Sequence, residues 1–403
     1  MAAITPISRK PLSFVLPIVA LAGAFGGQLV GTTQGNTIIG VLVGAALMTA
    51  LAYAFMSFDI DEKLARRGTV VGMLIIGVLL GGLPGLVVFA VFGWLYGWFI
   101  YWIGEGRYRQ YIPPYATAGQ VLWHHGFRVI CGLIFFFLIT PIVVVMPLSF
   151  NAQDFFTFTP EMLQLKPEGF SLKHYQDFFS NESWQRSLKN SILIAPLATI
   201  ISVSLGTLAA VGLSQSHVPF KRAIMAILIS PMIVPLIISA TGMFFFYSTL
   251  GNWLEGTLGL NKGFVGYVKV VLAHAVLGIP FVIITVTATL VGFDNSLTRA
   301  AANMGASPLK TFFKVQMPLI LPGVISGALF AFITSFDEVV VVLFVGSAAQ
   351  KTLPWQMFIG LREQISPTIL AVATILVALS ILLLASLELL RRRSERLRGM
   401  SPS

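Results

Sequence analysis

Residues 299–318 read RAAANMGASPLKTFFKVQMP, a polar interruption between two long apolar runs, and its punctuation is that of two short helices. Asp294 or Ser296 caps a first helix through residues 299–304, and Gly305 suits the left-handed residue that stops it. Ser307 then caps a second helix, with Pro308 in its first turn, where a missing N–H is harmless. Leu309, Phe312 and Phe313 fall on one face of that helix, and Lys310 and Lys314 form an i,i+4 polar edge. The stretch is thus an amphipathic helical hairpin without a core of its own. A groove on a partner protein, rather than the membrane surface, is the expected burial site for its apolar face.

The apolar runs on either side set the class. The chain has 403 residues, 56% hydrophobic and 10% charged, with 37 Gly and 32 Phe, too little polar surface to cover a soluble fold of that size. Runs long enough to cross about 30 Å of hydrocarbon recur along it. They lie near 12–33, 37–58, 69–83, 85–103, 128–149, 190–214, 222–248, 265–291, 320–346 and 367–390, which makes about ten crossings of an all-α, polytopic membrane helix bundle. The single cysteine, Cys131, sits in an apolar run as a small core residue, and no intrachain disulfide can form.

The ambiguous place is 69–103, one long helix or two short ones broken at GGLPG, residues 81–85. Charge decides. With two short helices, 18 of the 26 Lys and Arg residues fall on one side and 8 on the other, as the positive-inside rule requires, and both termini face the cytoplasm. The clusters on that side are Arg9/Lys10, Lys63/Arg66/Arg67, Arg107/Arg109/Arg128, Lys221/Arg222, Arg299/Lys310/Lys314 and the arginines of 391–398. The net charge of +10 is therefore a topology signal rather than a sign of nucleic-acid binding. Residues 1–11 and the first run read as a signal anchor.

The chain divides into an N-terminal transmembrane extension with its connector, 1–120, and a core, 121–403, whose hairpin loop is 293–318. In the extension glycines recur at four-residue spacing, Gly23, Gly27, Gly31 and Gly35, then Gly40 and Gly44, Gly77, Gly81 and Gly85, and Gly93 and Gly97. That spacing lets helix backbones approach closely in lipid. Trp94, Trp98, Tyr101 and Trp102 read as interfacial anchors. His124 and His125 are adjacent and point to different helix faces, so no metal site is expected.

No phosphate loop, zinc-protease helix or nucleophile elbow occurs. If transport is active, another chain must hydrolyse the nucleotide. At Ala300-Ala301, Gly305, and then VQMP ending on Pro318, the chain resembles the EAA loop of permeases in binding-protein-dependent type I ABC importers, with Arg299 where that family usually has Glu. The resemblance covers about 128–392. GFSLKHYQDFF at 169–179, Asn190-Ser191, and SFDEVVVVLF at 335–344 are similar to the second permease subunit of the spermidine/putrescine branch.

The resemblance implies a six-span type I permease core plus about four extra N-terminal spans, in the bacterial inner membrane. It implies a second permease chain, two ATPase subunits on the hairpin and a periplasmic substrate-binding protein as partners. ATP and Mg belong to those ATPase subunits; no cofactor, metal or catalytic residue is expected on this chain. Coupling to the ATPases falls to Ala300, Ala301, Gly305, Ser307, Pro308, Leu309, Phe312, Phe313 and Pro318. The expected cargo is a small organic cation such as a polyamine; opines, γ-aminobutyrate and other amino compounds are the alternative. Ser335, Asp337 and Glu338 are the expected substrate path. A helix entering near Ile320 carries the two carboxylates into the outer half of the bilayer, where such groups face a partner or a water-filled path. An ion-coupled secondary transporter would show duplicated halves with interrupted helices, and no internal repeat is evident.

Overall fold

The computed structural model describes residues 9–214, 218–363 and 366–397. The first residues of the expected signal anchor, and Arg398 at the end of the C-terminal arginine cluster, lie outside the described residues. The described residues form helices and turns, with one isolated bridge between Asn151 and Phe170 and no strand. They divide into two compact units, Met1–Ser171 and Leu172–Ser403.

The first unit holds α1 (Leu12–Thr33), α2 (Thr37–Ser57), α3 (Glu62–Gly104) and α4 (Ala118–Leu148). The glycine spacing does what the sequence suggests: a Cβ on Gly23 or Gly27 would collide with the Gly44 or Gly40 carbonyl across the α1–α2 hairpin. α3 is two antiparallel legs rather than one rod. Gly82 stands at φ 60°, ψ −141°, a conformation closed to L side chains, and Pro84 follows it. The chain doubles back so far that the Arg66 guanidinium lies 4.9 Å from the Trp94 ring centroid. A straight helix would separate those residues by roughly 40 Å. One end of the unit gathers Arg9 with Asp59, the Lys10 amide with the Gly104 carbonyl at 2.7 Å, and Arg107 with Glu62 at 2.7 Å. The two-helix reading of 69–103 therefore fits, with basic clusters from three separate stretches at one end.

The second unit holds α6 (Lys173–Ser180), α7 (Glu182–Ser214), α8 (Lys221–Ile233), α9 (Leu236–Leu258), α10 (Lys262–Val291), α11 (Ser296–Asn303), α12 (Pro308–Thr311), α13 (Met317–Phe336), α14 (Val340–Val345), α15 (Leu353–Glu363) and α16 (Thr368–Leu397), while the short α5 (Pro160–Leu163) belongs to the first. The buried axis is α10. Against it α7 contributes Ala210 and α13 contributes Ile320, Val324 and Ala331, packed with Val282 and Val286. α13 comes close because a Cβ on Gly323 or Gly327 would meet the hydroxyl of Thr289 or Thr285, each 2.6 Å away.

Two apolar runs expected as single spans are broken. The run 222–248 bends by 104° between α8 and α9. Pro235 has no N–H to continue α8 and forces Val234 into an extended conformation, φ −68°, ψ 136°. The run 320–346 stops at Phe336, and a separate short helix, α14, begins at Val340.

Candidate functional site

The hairpin opens on a side-chain turn. Asp294 accepts from the Ser296 amide at 2.8 Å and from the Ser296 hydroxyl at 2.6 Å. These two bonds, the hydroxyl first, hold its carboxyl below the ordinary aspartate range. α11 starts at Ser296, and its N-cap position falls on Asn295 rather than on the Asp294 or Ser296 expected from sequence. α11 ends in a complete Schellman motif: the Ala306 amide donates to the Ala301 carbonyl at 3.0 Å and the Gly305 amide to the Ala302 carbonyl at 2.9 Å. Gly305 sits at φ 79°, and nothing lies within 4 Å of where its Cβ would be. Ala301 and Ala302 thus serve the turn with their carbonyls.

The second arm begins as expected, with Ser307 Oγ accepting from the Lys310 amide at 3.4 Å and Pro308 in the first turn. It is not a free-standing helix, because α12 passes through a π-helical segment, Phe312–Gln316, directly into α13. Pro318 has no N–H for the Lys314 carbonyl and its ring crowds that oxygen, and a wider turn relieves both. The second arm and the α13 span are therefore one rod, Pro308–Phe336. A force on Leu309 or Phe313 acts on the membrane-crossing helix through continuous backbone.

The apolar face is partly as drawn from sequence. Leu309 is 70% and Phe313 58% exposed, joined by Met304 at 87%. Phe312 is half-buried, its ring edge-on to Phe313 at 5.0 Å between centroids. Phe312 is thus the inner support of the face, and Leu309 and Phe313 are its outer surface. Ala300, Ser307, Pro308 and Pro318 are exposed and Ala301 is partly so. Arg299, Lys310 and Lys314 are exposed around it.

The end of the bundle away from the hairpin collects the acidic pair and a polar lattice. Asp337 is the C-cap residue of α13 and is exposed. Glu338 folds back: it is 7% exposed and accepts from the Val341 amide at 2.9 Å, capping α14. Ser335 is buried, its Oγ 2.9 Å from His274 Nδ1, so it ties α13 to α10. Of the three residues expected along a substrate path, Asp337 is the one open to solvent. The carboxylates also stand in a break between helices rather than inside a continuous span.

Sequence reasoning named Asn190 and Ser191 only through their resemblance and gave them no role. Asn190 Nδ2 donates to the carbonyls of Ala349 at 2.9 Å and Lys351 at 2.8 Å, and Ser191 Oγ accepts from the Leu353 amide at 2.8 Å. Tyr267 donates to Asn190 Oδ1 at 2.6 Å, and Gln350 Nε2 to the Gly263 carbonyl at 3.2 Å. The segment 347–353 is thereby fixed to the third turn of α7 and the first two turns of α10. The GFSLKHYQDFF stretch has a similar task. Phe178 is buried with Trp184, Leu353, Ile369 and Val372, and Asp177 accepts from the Thr368 hydroxyl at 2.8 Å, which docks α6 on α16.

Residues 202–396 match the family described as the binding-protein-dependent transport system inner membrane component. The chain is 29% identical over 262 residues to the spermidine/putrescine transport system permease protein PotC of Haemophilus influenzae, covering 65% of this chain and 95% of that one. It is 28% identical over 249 residues to the putrescine transport system permease protein PotI of Escherichia coli, covering 62% of this chain and 84% of that one. Among solved structures, a bacterial alginate ABC transporter in complex with an alginate pentasaccharide-bound periplasmic protein matches with a TM-score of 0.52 at 16% identity, covering 67% of this chain and 94% of that one. That last likeness speaks for the fold alone.

Proposed function

We propose that the chain is one of the inner-membrane permeases of binding-protein-dependent ABC importers and that it forms one half of a translocation path for a small organic cation of the polyamine class. The observation that carries this reading is its similarity to PotC over nearly the whole length of that protein. An exposed carboxylate, Asp337, at the end of the bundle away from the hairpin agrees with a cationic cargo. The chain is a transport component and not itself an enzyme. A permease of this family works with another permease, ATPases and a substrate-binding protein.

In the proposed assembly the second permease is a different chain and two ATPase subunits carry ATP and Mg. Residues 121–403 form the translocating core, and 1–120 form an extension that assists assembly. Both termini and the hairpin face the cytoplasm. Leu309 and Phe313 fill a groove on an ATPase subunit, which anchors the rod Pro308–Phe336 at one end. When the ATPase dimer closes, the rod tilts as a lever. Its other end is the break at 337–339, where the cargo arrives from the binding protein. The lattice around Asn190 keeps the segment 347–353 in register while the rod moves.

The test is uptake by the complete transporter, purified with its partners and reconstituted in vesicles. Labelled spermidine or putrescine should enter in an ATP-dependent, binding-protein-dependent manner. An excess of γ-aminobutyrate or an opine should not compete. ATP-dependent uptake of labelled γ-aminobutyrate or an opine, without uptake of either polyamine, would reassign the cargo and leave the importer reading intact.

A further inference from the structure

The first leg of α3 opens with three cations on one face. Lys63, Arg66 and Arg67 stand at i, i+3 and i+4, and Val70 and Val71 continue that face a turn further on. Trp94 of the returning leg closes the side, and these six residues line an open groove of about 350 Å³. The legs approach here because Gly97 faces Arg66: a Cβ on Gly97 would lie 3.0 Å from Arg66 Cγ. Arg66 is thereby laid against Trp94, its guanidinium 4.9 Å from the ring centroid.

Each carboxylate at this end already has a partner other than the side chains of Lys63 and Arg67. Glu62 pairs with Arg66 at 3.4 Å and Arg107 at 2.7 Å, Glu105 accepts from Arg107 at 2.6 Å, and Asp59 pairs with Arg9. Asp61 accepts from the Lys63 amide at 3.0 Å. The side chains of Lys63 and Arg67 are exposed and have no anionic partner among the described residues. Two positive charges therefore stand at the mouth of a groove whose floor is valine and whose wall is tryptophan.

Depth supplies the rest. The leg runs from Glu62 to the break at Gly82, a helix of about 30 Å, the thickness of the hydrocarbon layer. Its first turns lie where acyl chains meet headgroups, the level that tryptophan also prefers. A soluble anion would gain nothing from the apolar floor, whereas a lipid uses both parts. We propose that this groove binds the headgroup of an anionic glycerophospholipid, its phosphodiester between Lys63 and Arg67 and its acyl chain along Val70 and Val71. Arg66, held by Glu62 and Trp94, forms the wall rather than the main anion contact. The inference concerns the N-terminal unit alone and does not depend on the cargo.

The experiment is native mass spectrometry of the purified full-length chain, titrated with phosphatidylglycerol and with phosphatidylcholine of the same acyl composition. Phosphatidylglycerol should bind in preference, and the preference should fall as ionic strength rises. The double variant Lys63→Gln/Arg67→Gln should lose about twenty-five-fold of that preference, roughly fivefold per cation. The swap Lys63→Arg/Arg67→Lys should keep it, which separates loss of charge from loss of fold. Equal binding of the two lipids by the unmodified chain, or full preference in the Gln variant, would overturn the proposal. So would displacement of phosphatidylglycerol by an equal concentration of glycerol phosphate, which would mark a site for a soluble phosphate.

Discussion

The phenol of Tyr267 on α10 donates to Asn190 Oδ1 on α7 at 2.6 Å, and the same Asn190 amide holds the carbonyls of both Ala349 and Lys351. One side chain thus joins the third turn of α7 and the second turn of α10 to a segment more than 150 residues away. Asn190→Ala removes all three bonds, and unpaired groups at a partly buried site cost about 1–3 kcal/mol. The variant should melt at clearly lower temperature than the parent in detergent, and Tyr267→Phe should lose about 1 kcal/mol or less. Equal melting temperatures for Asn190→Ala and the parent would mean that the lattice does not hold the segment.

Gly305 owes its identity to backbone and not to crowding, since its Cβ position is open. An L residue at φ 79° pays about 1–2 kcal/mol for the left-handed conformation, with asparagine among the cheapest. Gly305→Val should therefore lower ATP-driven uptake in reconstituted vesicles severalfold, and Gly305→Asn should retain most of it. Equal loss in both variants would point to steric contact with a partner instead of strain in the turn.

The two phenylalanines of the hairpin should separate. Phe313 is exposed and Phe312 half-buried, so Phe313→Asp should weaken co-purification of ATPase subunits while leaving the melting temperature of the isolated chain unchanged. Phe312→Asp should lower both. If Phe313→Asp keeps the ATPase subunits bound at parent levels, the groove filler is elsewhere on the hairpin.

The residues that sequence placed correctly are those with a single physical solution. A helix followed by a turn needs positive φ at one position, and Gly305 is the only glycine there. The doubling back at Gly82 was legible through charge, because one long helix would have put Lys63, Arg66 and Arg67 on the wrong side. The end of α13 was not legible. Ser335, Phe336, Asp337 and Glu338 include no glycine or proline, and the valines of 339–342 read as more of the same span. The π-turn before Pro318 was also hidden, since a proline at that place reads equally well as the start of a new helix. Nor could any local pattern pair Asn190 with carbonyls of 349 and 351, because the acceptors are backbone and carry no residue identity.

The α1–α2 hairpin should be intolerant of volume. A Cβ on Gly27 would run into the Gly40 carbonyl, and close backbone approach is what holds helices together where lipid removes the hydrophobic drive. Gly27→Leu should lower the yield of assembled transporter more than turnover per assembled complex, and deletion of residues 1–120 should do the same. Abundant complexes that fail to transport would place the N-terminal unit in the mechanism rather than in assembly.

Asp337 and Glu338 are neighbours with opposite surroundings, and their variants should part accordingly. Glu338 is buried and caps α14 through the Val341 amide. Glu338→Ala should cost about 1 kcal/mol, the usual penalty for a lost cap, whereas Glu338→Gln keeps an acceptor oxygen and should cost little. Asp337 is exposed at the break after α13, free of that capping duty. Its carboxylate can attract a cation without first leaving a hydrogen bond. Asp337→Asn should raise the concentration of cargo-loaded binding protein needed for half-maximal polyamine uptake severalfold, with complex yield unchanged, and Asp337→Glu should restore most of the loss. The measurement is initial uptake rate against binding-protein concentration in vesicles of equal transporter content. Unchanged uptake by Asp337→Asn would show that Asp337 does not serve the cargo, and a loss of stability as large as that of Glu338→Ala would show that it serves the fold instead.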